Sequence, residues 1–144
     1  MGSGSEDPAI SSALREQLLQ LSTPASKSKG TILFRRGEVC VGVFLICKGK
    51  VRLALDAPSW AFPPRILGPG CVAGLPAALA DSPYSLSAEV VEDAELACIS
   101  QRALCECLRQ NAKLCFEVMD ILSHEISSTR SAMKQKAPRS IGWR

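Results

Sequence analysis

The chain has 144 residues, 47% of them apolar and 22% charged, which suits one folded domain with a real core and is too short for two ordinary ones. Seventeen Lys+Arg against fourteen Asp+Glu leave a net charge of +3, too mild to argue for nucleic acid. One histidine, His124, excludes a conventional multi-histidine metal site, and seven cysteines are an odd number that cannot all pair.

No apolar run approaches the length that spans a bilayer, so no membrane partner is expected. Residues 1–8 open Met1-Gly2-Ser3-Gly4-Ser5 and read as a flexible lead or tag remnant rather than a signal peptide. Without an export signal, the expected setting is the cytoplasm, where cysteines stay reduced. Their spacing fits no usual metal pattern: six residues separate Cys40 from Cys47, and Cys105-Glu106-Cys107 is C-x-C. Most replace aliphatics in apolar stretches and read as small core residues. A metal or redox role would fall to Cys105, Cys107 and Cys115.

In chain order, Asp7-Pro8 is a helix opening, with Asp as cap and Pro at the first helical position. Ile10, Leu14, Leu18 and Leu21 then mark one apolar helical face. The polar residues 22–29 break that helix. Thr31-Ile32-Leu33-Phe34 reads as a short strand ended by a turn at Arg35-Arg36-Gly37-Glu38. Arg35 and Arg36 there read as solvated charges. Residues 41–47 (VGVFLIC) read as a buried strand, Lys48-Gly49 as a tight turn, and residues 50–55 as a strand with one wet face. Together they predict a hairpin. Residues 56–64 hold three prolines and read as a loop, with Trp60 and Phe62 against the surface. Residues 65–67 resume as a strand, turned by Gly68-Pro69-Gly70. Residues 71–81 are small and apolar, with a helical turn around 76–79. Residues 85–91 and 95–99 read as two strands joined by Glu92-Asp93-Ala94. Short strands at near-regular intervals imply a sandwich or jelly roll.

From Ser100 the period becomes helical. Ser100 caps a short helix carrying Leu104 and Leu108, and Asn111 caps a longer one. On the latter, Ala112, Cys115, Met119, Leu122, Ile126, Thr129 and Met133 alternate in steps of three and four, a heptad seam. Leu114, Val118 and Ile121 form a second stripe. Two stripes predict two partners for this helix: its own β domain and a second copy of the chain, giving a homodimer through residues 112–133. The alternative is one wide intrachain face. This divides the chain into a β domain at 9–111, a dimerisation helix at 112–136 and a loose basic tail at 137–144.

This order of elements resembles the cyclic-nucleotide-binding domain of the Crp/Fnr family of bacterial transcription regulators, over about residues 10–133. The carrying residues are Gly30-Thr31-Ile32-Leu33-Phe34 with Gly37-Glu38, then Gly42-Val43-Phe44-Leu45-Ile46 with Lys48-Gly49-Lys50-Val51-Arg52-Leu53, then Leu67-Gly68-Pro69-Gly70. The resemblance implies a mainly β fold, a double-stranded β-helix (jelly roll) with short flanking helices and a long C-terminal dimerisation helix. It implies a non-catalytic effector domain. DNA would be bound only through a winged helix after the long helix, where just residues 137–144 remain. The chain is then either the sensor part of a longer protein or a standalone domain.

The resemblance also implies a phosphate-binding cassette, a short helix whose N–H groups face an anion. It falls on Gly74-Leu75-Pro76-Ala77-Ala78-Leu79 and Ser82-Pro83-Tyr84-Ser85-Leu86-Ser87. The implied ligand-binding residues are Gly74, Leu75, Ala77, Tyr84, Ser85 and, on the long helix, Thr129, which also lies on the heptad seam. The ribose-binding glutamate is expected at Leu75 and the phosphate-binding arginine at Tyr84. Losing a buried charge partner costs about 2–5 kcal/mol of binding. An unsatisfied buried hydroxyl costs about 1–3 kcal/mol. Tight cyclic AMP binding is therefore disfavoured and no cofactor is expected, with Tyr84 able to plug the space. Three alternatives stay open: cyclic nucleotide bound by backbone amides and serines, a ligand-free dimerisation module, and a cysteine-based redox sensor. The family's cluster-ligating N-terminal cysteines are missing, since nothing before Cys40 is cysteine. His124 lies off the seam and reads as solvated rather than as a haem ligand. A cupin-type enzyme needs two or three histidines, so the chain is read as non-enzymatic.

Overall fold

The structure, a computed structural model, describes residues 9–55 and 64–136, with side chains described as far as His124. The elements are α1 (Ser12–Leu21), β1 (Thr23–Lys27), β2 (Ile32–Phe34), β3 (Gly42–Ala54), β4 (Arg65–Leu67), β5 (Val72–Ala73), α2 (Leu75–Ala80), β6 (Ser87–Ser100), α3 (Gln101–Gln110) and α4 (Ala112–Lys136). All strand pairings are antiparallel.

Two long strands organise the sheet. β3 pairs with β6 from Gly42↔Ser100 to Ala54↔Ser87. The first half of β3 also carries β5, through Phe44↔Ala73, and the second half carries β4, through Val51↔Leu67. β6 does the same with β1, through Thr23↔Cys98, and with β2, through Phe34↔Ala88. One ladder therefore runs through both layers of a jelly roll, and the mainly β expectation holds.

Its interior differs from the sequence reading at four points. Residues 41–55 are not a hairpin: β3 runs straight through Lys48-Gly49. Residues 85–99 are likewise one strand, not two. Both supposed turns mark the corner where the ladder shifts register, with Lys48 opposite Glu95 and Lys50 opposite Glu92. A bulged corner demands the same small and polar residues as a turn. Third, residues 22–29 hold β1, a polar edge strand. Pro24 is tolerated there because an edge does not need every N–H. Fourth, α1 is capped by Ser11, whose Oγ accepts the Leu14 N–H at 3.2 Å. The Asp7-Pro8 opening lies outside the described residues, as do Trp60, Phe62 and most of the proline-rich loop.

Two cores result. One fills the barrel: Phe34, Ile46, Val51, Leu53, Leu67, Tyr84, Val90 and Leu96 among others. The second lies between sheet and helices, where Leu14 and Leu18 of α1, Leu104 and Leu108 of α3, and Leu114 and Val118 of α4 meet Val43, Leu45 and Ile99. Leu21, expected on the buried face of α1, stays exposed because that face ends a turn earlier. The caps at Ser100 and Asn111 form as expected, accepting the Ala103 and Leu114 N–H groups. None of the seven cysteines forms a disulfide; Cys71 is buried, and Cys40, Cys47, Cys107 and Cys115 pack half-buried against these cores.

Gly49 makes the corner possible. It has φ +88°, and a Cβ there would strike the Asp93 carbonyl, with Ala94 Cα at 2.7 Å and Glu92 O at 2.8 Å. Gly37 has φ +92° with nothing within 4 Å of the same position. Gly37→Ala is expected to cost about 1–2 kcal/mol of backbone strain. Gly49→Ala adds overpacking of about 1–3 kcal/mol to the same strain. Urea unfolding midpoints of the two variants test this ordering.

Candidate functional site

The cassette begins where β5 ends. Gly74 takes φ +96° and precedes α2, with Pro76 in the first turn, where its missing N–H costs nothing. α2 is six residues long and lies between the two cores, so its side chains divide between them. Ala77 faces the barrel; Leu75 and Ala78 face the helices.

Leu75 is 1% exposed and packs in the helical core. The cassette position that opens toward the barrel is Gly74. A Cβ there would lie 3.2 Å from Tyr84 Cε1 and 3.1 Å from Gly42 O. Tyr84 thus sits over a glycine, and a larger residue at 74 would meet its ring.

Tyr84 itself is 3% exposed. Its ring stacks on Phe34, with centroids 3.8 Å apart and planes at 11°. Its hydroxyl accepts the N–H groups of Val41 at 3.2 Å and Gly42 at 3.3 Å, and donates to Gly42 O at 2.8 Å. Its own backbone is held by the turn before β3: Tyr84 N donates to Glu38 O at 3.0 Å, and Gly37 N donates to Tyr84 O at 2.8 Å. The residue expected to face a phosphate is a neutral, fully engaged phenol closing the start of β3. Desolvation by burial pushes its hydroxyl up to about 12, with the Cys40 thiol adding in the same direction and the backbone N–H bonds opposing.

The remaining expected residues are dispersed. Ser85 is exposed. Ser87 accepts the Arg36 N–H at 2.9 Å, so its hydroxyl serves the β2–β3 turn. The side chain of Thr129 lies outside the described residues. Phe34, Val41 and Gly42 hold Tyr84 and were not among the ligand-binding residues expected from sequence. Their role depends on a long-range stack and a long-range hydrogen bond that no local pattern reveals. His124 is exposed on α4.

A family model described as cyclic nucleotide-binding domain matches residues 25–111. The chain belongs to the cyclic nucleotide-binding domain family. It is 32% identical over 132 residues to the anaerobic regulatory protein of Bacillus subtilis, covering 90% of this chain and 56% of that protein. The fold matches the catabolite activator protein of Thermus thermophilus with a TM-score of 0.72 at 21% identity, over 88% of this chain and 60% of that one. It also matches oxidized CprK in complex with o-chlorophenolacetic acid, with a TM-score of 0.67 at 16% identity, over 90% and 55% of the two chains. The chain spans little more than half the length of each.

Within this domain, the tyrosine gives a pH signature. The folded state holds Tyr84 neutral up to about 12, whereas the unfolded phenol ionises near 10.0. The stability this contributes is present below pH 10 and is lost as pH rises from 10 toward 12. Burial raises the Cys98 and Cys107 thiols from 9.0, which acts in the same direction from a lower pH. Tyr84→Phe is expected to cost about 1–3 kcal/mol at pH 7, because Gly42 loses its buried partner. It should also flatten the alkaline fall in stability relative to wild type. Denaturant titrations at pH 7, 10 and 11 measure both effects.

Proposed function

We propose that the chain is the effector domain of a Crp/Fnr-type transcription regulator whose cassette is closed by its own tyrosine. It responds to something other than tightly bound cyclic AMP. The observation that carries this reading is Tyr84 over Gly74. The ring fills the space in front of the cassette, and its hydroxyl has no bond left to exchange for a phosphate. A cyclic nucleotide would have to displace the Phe34 stack and three hydrogen bonds, with no arginine in the cassette to repay the cost. The CprK structure, with o-chlorophenolacetic acid bound, supports the view that this fold accepts ligands that are not cyclic nucleotides. The domain works in the cytoplasm without catalysis, and DNA is reached through a further part of the longer regulators it resembles.

The second element of the proposal is a homodimer through α4. Leu114 and Val118 turn toward their own domain, and Cys115, Ile121 and Leu122 pack half-buried against the same core. That leaves Met119 of the heptad seam 55% exposed, beside Phe116 at 68%. Two large apolar side chains facing water on one long helix support a partner helix there. Ile126, Thr129 and Met133 continue the pattern outside the described side chains.

Two measurements test these readings. Thermal-shift titration with cyclic AMP is expected to move the melting point by less than about 1 °C. A ligand at 100 times its Kd stabilises by about 2.7 kcal/mol, so a rise of several degrees at 0.1 mM, the mark of roughly micromolar binding, would overturn the closed cassette. In sedimentation velocity, the wild-type chain is expected as a dimer, and Met119→Glu as a monomer that keeps its melting point within a few degrees. An unchanged sedimentation coefficient in the variant would refute dimerisation through α4.

A further inference from the structure

We infer that Gln101 is a positioning residue that locks the cassette helix to the helical layer, so that α2, α3, α4 and α1 move as one body. The inference rests on the reading of α2 as the cassette and adds how that cassette is mechanically connected.

Gln101 is the first residue of α3 and is half-buried. Its side-chain amide has two N–H donors. One reaches Ala78 O at 2.8 Å and the other Asp81 Oδ1 at 3.2 Å. Both acceptors lie at the end of α2, where the last carbonyls have no partner within a helix. Ala78 is two residues from the end of that helix, and Asp81 is its C-cap, in the left-handed region at φ 53°. The backbone N–H of Gln101 donates to Val41 O at 3.3 Å, and Val41 N–H in turn donates to the Tyr84 hydroxyl. A single residue thus touches the cassette helix and the strand start that Tyr84 grips.

From Gln101 the connection continues through α3. Leu104 and Leu108 share a core with Leu75 and Ala78 on one side and with Leu114 and Val118 of α4 on the other. The far end is pinned by charge. Glu117 of α4 accepts the Ser11 N–H at 2.8 Å and the Ser11 hydroxyl at 2.6 Å. The same serine caps α1, so the carboxylate sits at the positive end of that helix. α1 and α4 are therefore tied to each other, and both are tied to α2 through α3. Apolar packing permits small slides, whereas a two-donor amide fixes α2 in direction and distance. This places the step between cassette and long helix at Gln101.

Native-state hydrogen exchange of the full chain, without ligand, tests the inference. Gln101→Ala is expected to speed exchange of the Asp81 and Ser82 amides roughly five- to a hundred-fold, the effect of two lost hydrogen bonds. The same variant should speed the Leu14 amide, which reads the Ser11–Glu117 tie, and the amides of residues 114–118. The β3 and β6 amides at Leu45 and Leu96 should stay unchanged. Acceleration confined to residues 77–82, or none, would overturn the inference. If Gln101→Ala also speeds Leu45 and Leu96, the comparison moves to Asp81→Gly. That change removes one acceptor at an exposed, left-handed position glycine accepts readily. It should give the same pattern at smaller size, and its absence there would equally overturn the inference. Cyclic AMP titration does not enter this test, so a failure of the closed-cassette reading leaves the exchange result standing on its own.

Discussion

The ladder between β3 and β6 is the constraint from which the rest follows. Neither strand belongs to a single layer. Each crosses from one half of the jelly roll to the other at a shared corner, built from Lys48-Gly49-Lys50 on one side and Glu92 to Glu95 on the other. Because the two strands bend together, four short strands are added to their flanks. The corner also divides the interior. Val43 and Leu45, before it, face the helices, and Val51 and Leu53, beyond it, face the barrel. The cassette helix lies between these two cores and contributes residues to each.

That placement explains why Leu75 and Tyr84 are both buried in packed surroundings. A buried arginine without its anion would carry a heavy desolvation cost, and so would a lone glutamate. Tyrosine solves both problems. Its ring supplies apolar volume and stacks on Phe34, and its single hydroxyl meets the polar backbone of Val41 and Gly42. Gly74 is the necessary complement, since any Cβ there would press on the ring. The pair is self-consistent: a small residue on the cassette, and a large neutral one on the segment that follows it.

Much of this was legible in the sequence, and the failures have a common cause. The strand content, the caps at Ser100 and Asn111, and the second stripe at Leu114 and Val118 follow from local patterns that tertiary contacts then reinforce, whereas Tyr84 came into view only through the family resemblance. The hairpin at Lys48-Gly49 was misread because glycine beside lysines satisfies a bulged corner as well as a two-residue turn. β1 was missed because an edge strand with four exposed residues of five has no alternation to detect. Which core Leu75 joins was not legible, because knowing the residues of α2 does not say how that helix is rotated between two cores. A rotation of one position exchanges the barrel-facing residue for the helix-facing one. Gln101 escaped notice because a glutamine at a helix start has no distinctive pattern, and its partners lie 20 and 23 residues upstream.

The long helix faces a related conflict. A helix that only covered its own domain would need one apolar stripe, and Leu114 with Val118 provides it. Phe116 and Met119 point elsewhere, at an energetic cost in water that the fold does nothing to relieve. Glu117 falls between these faces and sets its carboxylate on the N-terminus of α1, at the surface. The helix is thus held to its own domain by Glu117 on α1 and by its core stripe, while Phe116 and Met119 on its other side face water beside Lys113, Asp120 and His124. Any motion of this helix would carry α1 with it, since Glu117 joins the two.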